Sequence, residues 1–94
     1  MEIRYYCDPE TGQPHIYDHG VTEVEAEWIL AHPGEDEASA GNSRQALGQT
    51  LNGRYLRVIY VPDEEGDGVF VVTAYPLDGR QLKAFRRRQR RRGR

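Results

Sequence analysis

Residues 54–75 read RYLRVIYVPDEEGDGVFVVTAY and contain the two segments that decide the fold. Residues 54–61 and 69–75 are rich in β-branched and aromatic side chains, which favour strands. Residues 62–68 between them supply a proline, four acids and two glycines, which favour a turn. The pattern therefore predicts an antiparallel hairpin at the centre of a sheet.

Alternation along the two strands separates a core face from a second, mixed face. If Tyr60 lies opposite Phe70, the core face consists of Leu56, Val58, Tyr60, Phe70, Val72 and Ala74. One end of the second face then gathers Tyr55, Arg57, Thr73 and Tyr75. This cluster could bind an anion through its arginine, or it could be an ordinary cross-strand aromatic pair with the arginine stacked beside it.

The N-terminal part of the chain predicts a hairpin and a helix. Residues 3–7 and 14–17 would form a short hairpin around a turn at residues 8–12, and a helical turn after Pro9 is the alternative. Thr22, with Glu25 three residues later, predicts the capping box of a helix that ends near residue 31. We expect Trp28 to be the main core side chain of this helix.

The segments that follow predict a loop, a strand and a last helix. Residues 34–42 are acidic and small, and we expect a mobile loop. Residues 45–51 predict a strand in which Gly48 leaves room for a close approach, and Asn52-Gly53 predicts a two-residue hairpin turn. Asp78 would cap a helix that Leu82 and Phe85 hold against the sheet.

Together these segments predict one α+β domain over residues 1–85 and a basic, disordered tail over residues 86–94. The antiparallel sheet would combine the N-terminal hairpin with a three-stranded meander, and would pack with one main helix and a short basic C-terminal helix. No apolar run reaches about 18 residues and nothing resembles a signal peptide. We therefore expect a cytoplasmic protein without membrane contact.

Charge is distributed unevenly along the chain. Residues 80–94 hold nine of the 13 basic residues and no acid, whereas residues 1–79 combine all 15 acids with the four remaining bases, a net charge of −11. A basic segment suits a polyanion because each neutralised phosphate releases counterions, although it could also fold back onto the acidic body. The residues predicted to contact nucleic acid are Arg54, Lys83, Arg86, Arg87, Arg88, Arg90, Arg91 and Arg92.

Evidence in the sequence for a metal or cofactor is weak. Possible ligands are His15, Asp18, His19 and His32, with Cys7 nearby, but no second ligand pair has zinc-site spacing. The chain contains no glycine-rich phosphate loop and no nucleophile elbow. We expect neither a metal nor a cofactor.

Four stretches, taken in order, resemble the BrnT-like toxins of the RelE/ParE-like superfamily. They are Tyr5-Tyr6-Cys7-Asp8-Pro9, His19-Gly20-Val21-Thr22 with Glu25-Ala26, Ala46-Leu47-Gly48-Gln49-Thr50 with Gly53-Arg54, and Val72-Thr73-Ala74-Tyr75. The chain is also similar to a related, less characterised branch of small domains in this superfamily. The resemblance implies an antiparallel sheet backed by helices, and a ribonuclease that arrests translation until a small antitoxin neutralises it.

The resemblance thus implies a toxin-type RNA-binding protein, with RNA, the ribosome and an antitoxin as partners. Whether it is an enzyme stays open; if it is, we expect a metal-independent mRNA endonuclease. Its catalytic residues would be Arg57, Tyr75 and Arg80, with the arginines binding phosphate and the tyrosine transferring a proton. The alternatives are a non-catalytic nucleic-acid or ribosome binding module with an arginine-rich tail, and a protein-interaction domain.

Overall fold

The computed structural model describes residues 1–92 as one five-stranded sheet packed with two α-helices and a short 3₁₀ helix. The strands are β1 (Ile3–Tyr5), β2 (Glu35–Ala38), β3 (Arg44–Gln49), β4 (Tyr55–Pro62) and β5 (Val69–Pro76). The helices are α1 (Glu23–Ala31), α2 (Gly79–Arg92) and the 3₁₀ helix (His15–His19). No helix within these residues is long and apolar enough to cross a membrane. The predicted α+β class is confirmed.

The sheet is mixed, so the prediction of an antiparallel sheet is only partly right. Its strand order is β1-β5-β4-β3-β2, and β2 to β5 form antiparallel neighbours that include the predicted meander. β1 instead lies parallel to β5, with Ile3 opposite Val69. Adjacent parallel strands need a long crossover connection, and here all the elements between β1 and β5 provide it.

The predicted N-terminal hairpin is reduced to one bridge between Cys7 and Pro14. The turn before it is closed by the amide of Gly12, which donates to the carbonyl of Asp8 at 2.7 Å. After the bridge the chain forms the 3₁₀ helix instead of a second strand. Pro14 lacks the amide that a strand ladder requires, and the 3₁₀ helix buries Ile16 in the core at 1% exposure.

A β-bulge shifts the register of the central hairpin. Tyr60 lies opposite Val71, not opposite Phe70 as predicted, and the register changes between Ile59 and Tyr60. Val72 is the extra residue and has no partner of its own on β4.

The bulge changes which β5 side chains face the core. Val69 and Val71 are buried, whereas Phe70 and Val72 are only partly buried. Beyond the bulge Ala74 is buried, as predicted. The predicted core residues of β4 are also confirmed, namely Leu56, Val58 and Tyr60. Strict alternation cannot reveal an extra residue, and the predicted core positions of Phe70 and Val72 are wrong for that reason.

α1 begins and ends where the sequence predicts, but a different side chain fills the core. The capping box is present, because the side chains of Thr22 and Glu25 each accept a hydrogen bond from the other residue's amide. Ile29 is fully buried, whereas Trp28 is only partly buried at the margin of the core. The indole N–H of Trp28 donates to the carbonyl of Gln49 at 3.2 Å, a polar partner that the centre of an apolar core would not offer.

Residues 35–38, predicted as part of a mobile loop, form the edge strand β2 instead. Each acid of this strand has a partner on another element: Glu35 bonds with Arg88, Asp36 with Arg44 and Tyr60, and Glu37 with Gln45. The local composition predicts a loop because these partners lie elsewhere in the sequence. Charged side chains on an edge strand also oppose pairing with other chains.

β3 is connected to β4 by a three-residue loop, not by the predicted two-residue turn. The amide of Thr50 donates to the carbonyl of Arg54 at 2.8 Å, and Gly53 has a φ of 92°. A glycine in the left-handed region is typical of such loops. Gly48 makes the predicted close approach, since a Cβ there would lie 3.2 Å from Cδ1 of Ile29.

α2 packs on the face of the sheet opposite α1. Its cap is as predicted, because the carboxylate of Asp78 accepts a hydrogen bond from the amide of Gln81 at 2.8 Å. Phe85 is buried against Leu47, and Leu82 packs beside them in a cluster separate from the α1 core. Both predicted anchors of the helix are therefore in place.

α2 continues through residues 86–92, where we expected a disordered tail. Side chains of this second half bond the segment that enters β2: Arg88 to the carboxylate of Glu35, and Gln89 and Arg92 to the carbonyl of Gly34. These contacts offset the repulsion among neighbouring arginines. Residues 93–94 of the predicted tail lie outside the described residues.

Candidate functional site

The outer face of α2 carries exposed cations that form no ion pair with any carboxylate in residues 1–92. They lie on the side of the helix away from Phe85, and we call them the cationic face: Arg80, Lys83, Arg86, Arg87, Arg90 and Arg91. Most of the cations predicted to contact nucleic acid belong to this face. Their charge is available to a ligand although the rest of the chain is strongly acidic.

Three other arginines of that predicted set are used within the fold. Nη1 of Arg54 donates to both carboxylate oxygens of Glu25, at 2.8 and 2.9 Å. Arg88 pairs with Glu35, whose side chain is only 6% exposed, and Arg92 donates to a backbone carbonyl. The first contact holds the β3–β4 loop to α1. The contacts of Arg88 and Arg92 hold α2 to β2 and to the segment that enters it.

Arg57 and Tyr75 lie directly opposite each other on β4 and β5. Nη1 of Arg57 donates to the hydroxyl of Tyr75 at 3.3 Å, and the guanidinium carbon lies 5.8 Å from the ring centre. Within the described residues Arg57 forms no ion pair, and its Nε is buried without a hydrogen-bond partner. The pair therefore presents a positive charge that the fold does not neutralise.

The structure separates the other residues expected near this pair. Tyr55 packs edge-on against Phe85, with ring centres 6.0 Å apart, and does not form the cross-strand pair with Tyr75. Arg80 lies on the cationic face and does not line the surface around Tyr75. Two of the three predicted catalytic residues, Arg57 and Tyr75, are thus brought together.

Tyr75 also lines a groove of about 530 Å³ that we call the histidine groove. Its other lining residues are Tyr6, His15, His19, Val72 and Thr73. The ring centres of Tyr6 and His15 are 6.1 Å apart, those of His15 and His19 are 5.2 Å apart, and those of His19 and Tyr75 are 5.8 Å apart. A continuous row of four rings therefore leads to the Arg57–Tyr75 pair.

His15 and His19 were not predicted as members of this site. The sequence placed them on a strand and a turn as weak metal ligands, whereas the 3₁₀ helix lays them along β5. Their spacing of four residues puts both side chains on one face of a helix and equally on one face of a strand, so it predicts that they are neighbours but not which element carries them. The 3₁₀ helix packs against β5, which lies far along the sequence, so no local sequence pattern predicts this contact.

His15 is held by two carboxylates at one of its ring nitrogens. Nδ1 lies 2.9 Å from Oδ1 of Asp8 and 3.5 Å from Oδ2 of Asp18. With a proton on Nδ1, the ring donates a hydrogen bond to Asp8 and keeps Nε2 as an acceptor. Asp8 thereby favours this tautomer of His15.

The same three residues form the one group in residues 1–92 with the spacing of metal ligands, their candidate atoms lying within 4.8 Å of one another. Asp8 is close enough to Nδ1 of His15 for a hydrogen bond, whereas Asp18 lies farther from the same nitrogen, at 3.5 Å.

Comparison with known proteins returns no match, since no family model, characterised protein or solved structure is similar to this chain. The resemblance to BrnT-like toxins accordingly stays a prediction that depends on the four sequence stretches. The cationic face and the histidine groove are the two features of the fold that bear on its function.

Proposed function

We propose that the protein binds RNA through the cationic face of α2. The observation that carries this proposal is that six exposed cations lie on one side of one helix without an acidic partner, although residues 1–79 have a net charge of −11. Such a row suits a chain of phosphates, because each contact releases condensed counterions.

RNA is favoured over other polyanions by the second surface. The Arg57–Tyr75 pair and the two histidines offer the groups that phosphodiester cleavage at a 2′-hydroxyl requires, namely a cation and proton-transfer groups. The resemblance to BrnT-like toxins supports the same substrate. It further supports the proposal that the protein is the toxin of a toxin–antitoxin pair, with a small antitoxin encoded beside it.

The alternative is a non-catalytic nucleic-acid or ribosome binding module. The observation that favours it is that the cationic face is complete on α2 alone and includes Arg80, which we had predicted to be catalytic. In this alternative the histidine groove has no chemical role, and RNA remains intact after binding.

Fluorescence anisotropy with a labelled single-stranded RNA of about 15 nucleotides tests the proposal. The double variant Lys83→Gln with Arg87→Gln removes two cations of the face, and at 0.1 M salt we expect its affinity to fall by about 25-fold, roughly fivefold for each phosphate contact. The effect should be the same for RNAs of different sequence, because phosphate contacts carry no sequence information.

The matched control is the double variant Arg4→Gln with Arg44→Gln. It also removes two positive charges, but from arginines that form ion pairs with Asp63 and Asp36. This control should bind within about threefold of the parent, an estimate for screened charge at a distance. Equal losses in the two double variants would show that only net charge matters and would contradict a specific role of α2.

A further inference from the structure

We propose that the histidine groove is an RNA-cleaving site that works by proton transfer, with His15 as the general base. The inference deepens the proposed function, because it needs RNA to be bound. It differs from our sequence-based prediction, which placed the reaction at Arg57, Tyr75 and Arg80 and gave the histidines no part.

His15 has the environment of a general base. The carboxylate of Asp8 lies 2.9 Å from Nδ1, and a neutral ring with its proton on that nitrogen has a basic Nε2. The titratable groups around the ring are Asp8, Asp18, His19 and Tyr6. Because Asp8 holds the proton on Nδ1, Nε2 is the atom that takes a proton, so Asp8 is a positioning residue that acts through His15.

Arg57 and Tyr75 supply the groups that bind the phosphate. Arg57 keeps an unpaired charge beside the groove, and its buried Nε has no hydrogen-bond partner, which costs free energy that no ion pair in the described residues offsets. Thr73 Oγ1, in the groove lining, is likewise buried without a partner. One unsatisfied group belongs to a residue that lines the groove, and the other to the arginine that bonds Tyr75 in its lining, which favours a polar ligand at this place.

The groove and the cationic face can act on the same strand of RNA. Arg57 lies opposite Leu47 in the sheet, and Leu47 packs against Phe85 of α2. Because side chains alternate along a strand, Arg57 and Tyr75 face the side of the sheet on which α2 lies. α2 and the Arg57–Tyr75 pair therefore lie on the same side of the sheet, so that one RNA can contact both.

The reaction balances without a metal or a redox partner. Nε2 of His15 takes the proton of the ribose 2′-hydroxyl, and the 2′-oxygen forms a bond to phosphorus. The bond from phosphorus to the 5′-oxygen breaks, and that oxygen receives a proton from the imidazolium of His19. Arg57 and the Tyr75 hydroxyl stabilise the charge on the non-bridging oxygens. The products are a 2′,3′-cyclic phosphate and a 5′-hydroxyl.

The test is incubation of the full chain with an end-labelled single-stranded RNA in EDTA, analysed on a denaturing gel with identification of the new ends. We expect cleavage to 2′,3′-cyclic phosphates, and no cleavage of DNA of the same sequence. His15→Asn and His19→Asn should each lower the cleavage rate by about 100-fold or more while RNA affinity stays within about twofold. His32→Asn is the matched control, because His32 stacks on Trp28 outside the groove.

Asp8→Asn should lower the rate and shift the acidic limb of the pH–rate profile, the limb that reports the general base, whereas a merely structural role would change the rate without moving that limb. His15→Gln and thermal unfolding of each variant separate loss of chemistry from loss of folding. RNA that is bound but stays intact would overturn the inference and leave the proposed function standing. RNA that is not bound would overturn both, and cleavage that EDTA abolishes would replace proton transfer by a metal reaction.

Discussion

At the scale of single residues, the arginines of the sheet differ by whether a carboxylate faces them. Arg54 meets Glu25 and so joins the β3–β4 loop to the first turn of α1. Arg57 lies three residues further along the chain, on β4, and among the described residues its side chain bonds only the hydroxyl of Tyr75. An arginine with a partly buried carboxylate partner contributes to stability, whereas one without a partner is available to an anion.

The contribution of Glu25 and its partners to the stability of the fold depends on pH. Burial alone would raise the pKa of its carboxyl, but hydrogen bonds from Thr22 and from Arg54 outweigh burial and hold the pKa below its usual 4.5. A carboxyl with a lowered pKa stabilises the folded state above its ordinary value, and this contribution is lost as the pH falls through the folded-state value.

We therefore expect Glu25→Gln to lower the free energy of unfolding by about 1–2 kcal/mol at pH 7, the usual range for a cap combined with a charged hydrogen bond. The difference from the parent should shrink as the pH falls below 4.5. Urea denaturation at several pH values measures it, with Glu10→Gln on the exposed N-terminal turn as the control. A difference that does not depend on pH would mean that the charge of Glu25 has no role.

At the scale of elements, α2 has one side for the fold and one for a ligand. Phe85, Arg88 and Gln89 face the body, where they contact Leu47, Glu35 and Gly34. A side chain at Gly34 would not fit, because a Cβ there would lie 2.7 Å from Cζ of Phe85. The outer side makes no ion pairs in the described residues, and its one aromatic contact is that of Arg86, whose guanidinium carbon lies 5.9 Å from the ring centre of Tyr55.

This division predicts opposite effects for two neighbouring arginines. Arg88→Met leaves the carboxylate of Glu35 buried without a cation and should lower the free energy of unfolding by about 1–2 kcal/mol, since Arg88 is itself 44% exposed and water screens the pair. Arg87→Met should leave stability unchanged within about 0.5 kcal/mol and should weaken RNA binding about fivefold at 0.1 M salt.

Chemical denaturation and anisotropy on the same two proteins provide the comparison. If Arg87→Met destabilises the fold as much as Arg88→Met does, then α2 is not divided into the two sides described here.

At the scale of the whole molecule, acids and bases are held apart. Ten of the 15 acids lie on β2, on the first turns of α1 and in the β4–β5 loop, and the exposed unpaired cations of α2 lie on its outside. Such a separation steers a polyanion to α2 and away from those three segments.

The features that the sequence predicts correctly are those determined by residues that are close together in the sequence. They include both helix caps, the β3–β4–β5 meander and the anchors of α2 at Leu82 and Phe85. The features that it misses depend on partners far along the chain. The edge strand β2 needs Arg88, the parallel pairing of β1 needs β5, and the histidine groove needs the bulge at Val72 together with the 3₁₀ helix.

The salt dependence of RNA affinity is the sharpest test of RNA binding by α2, because it counts the phosphates that the protein contacts. If all six cations of α2 contact phosphates, a plot of the logarithm of the association constant against the logarithm of salt concentration should have a slope of about −4, roughly −0.7 for each contact with a single strand. A slope near zero, or affinity too weak to measure at low salt, would contradict the claim that α2 binds RNA.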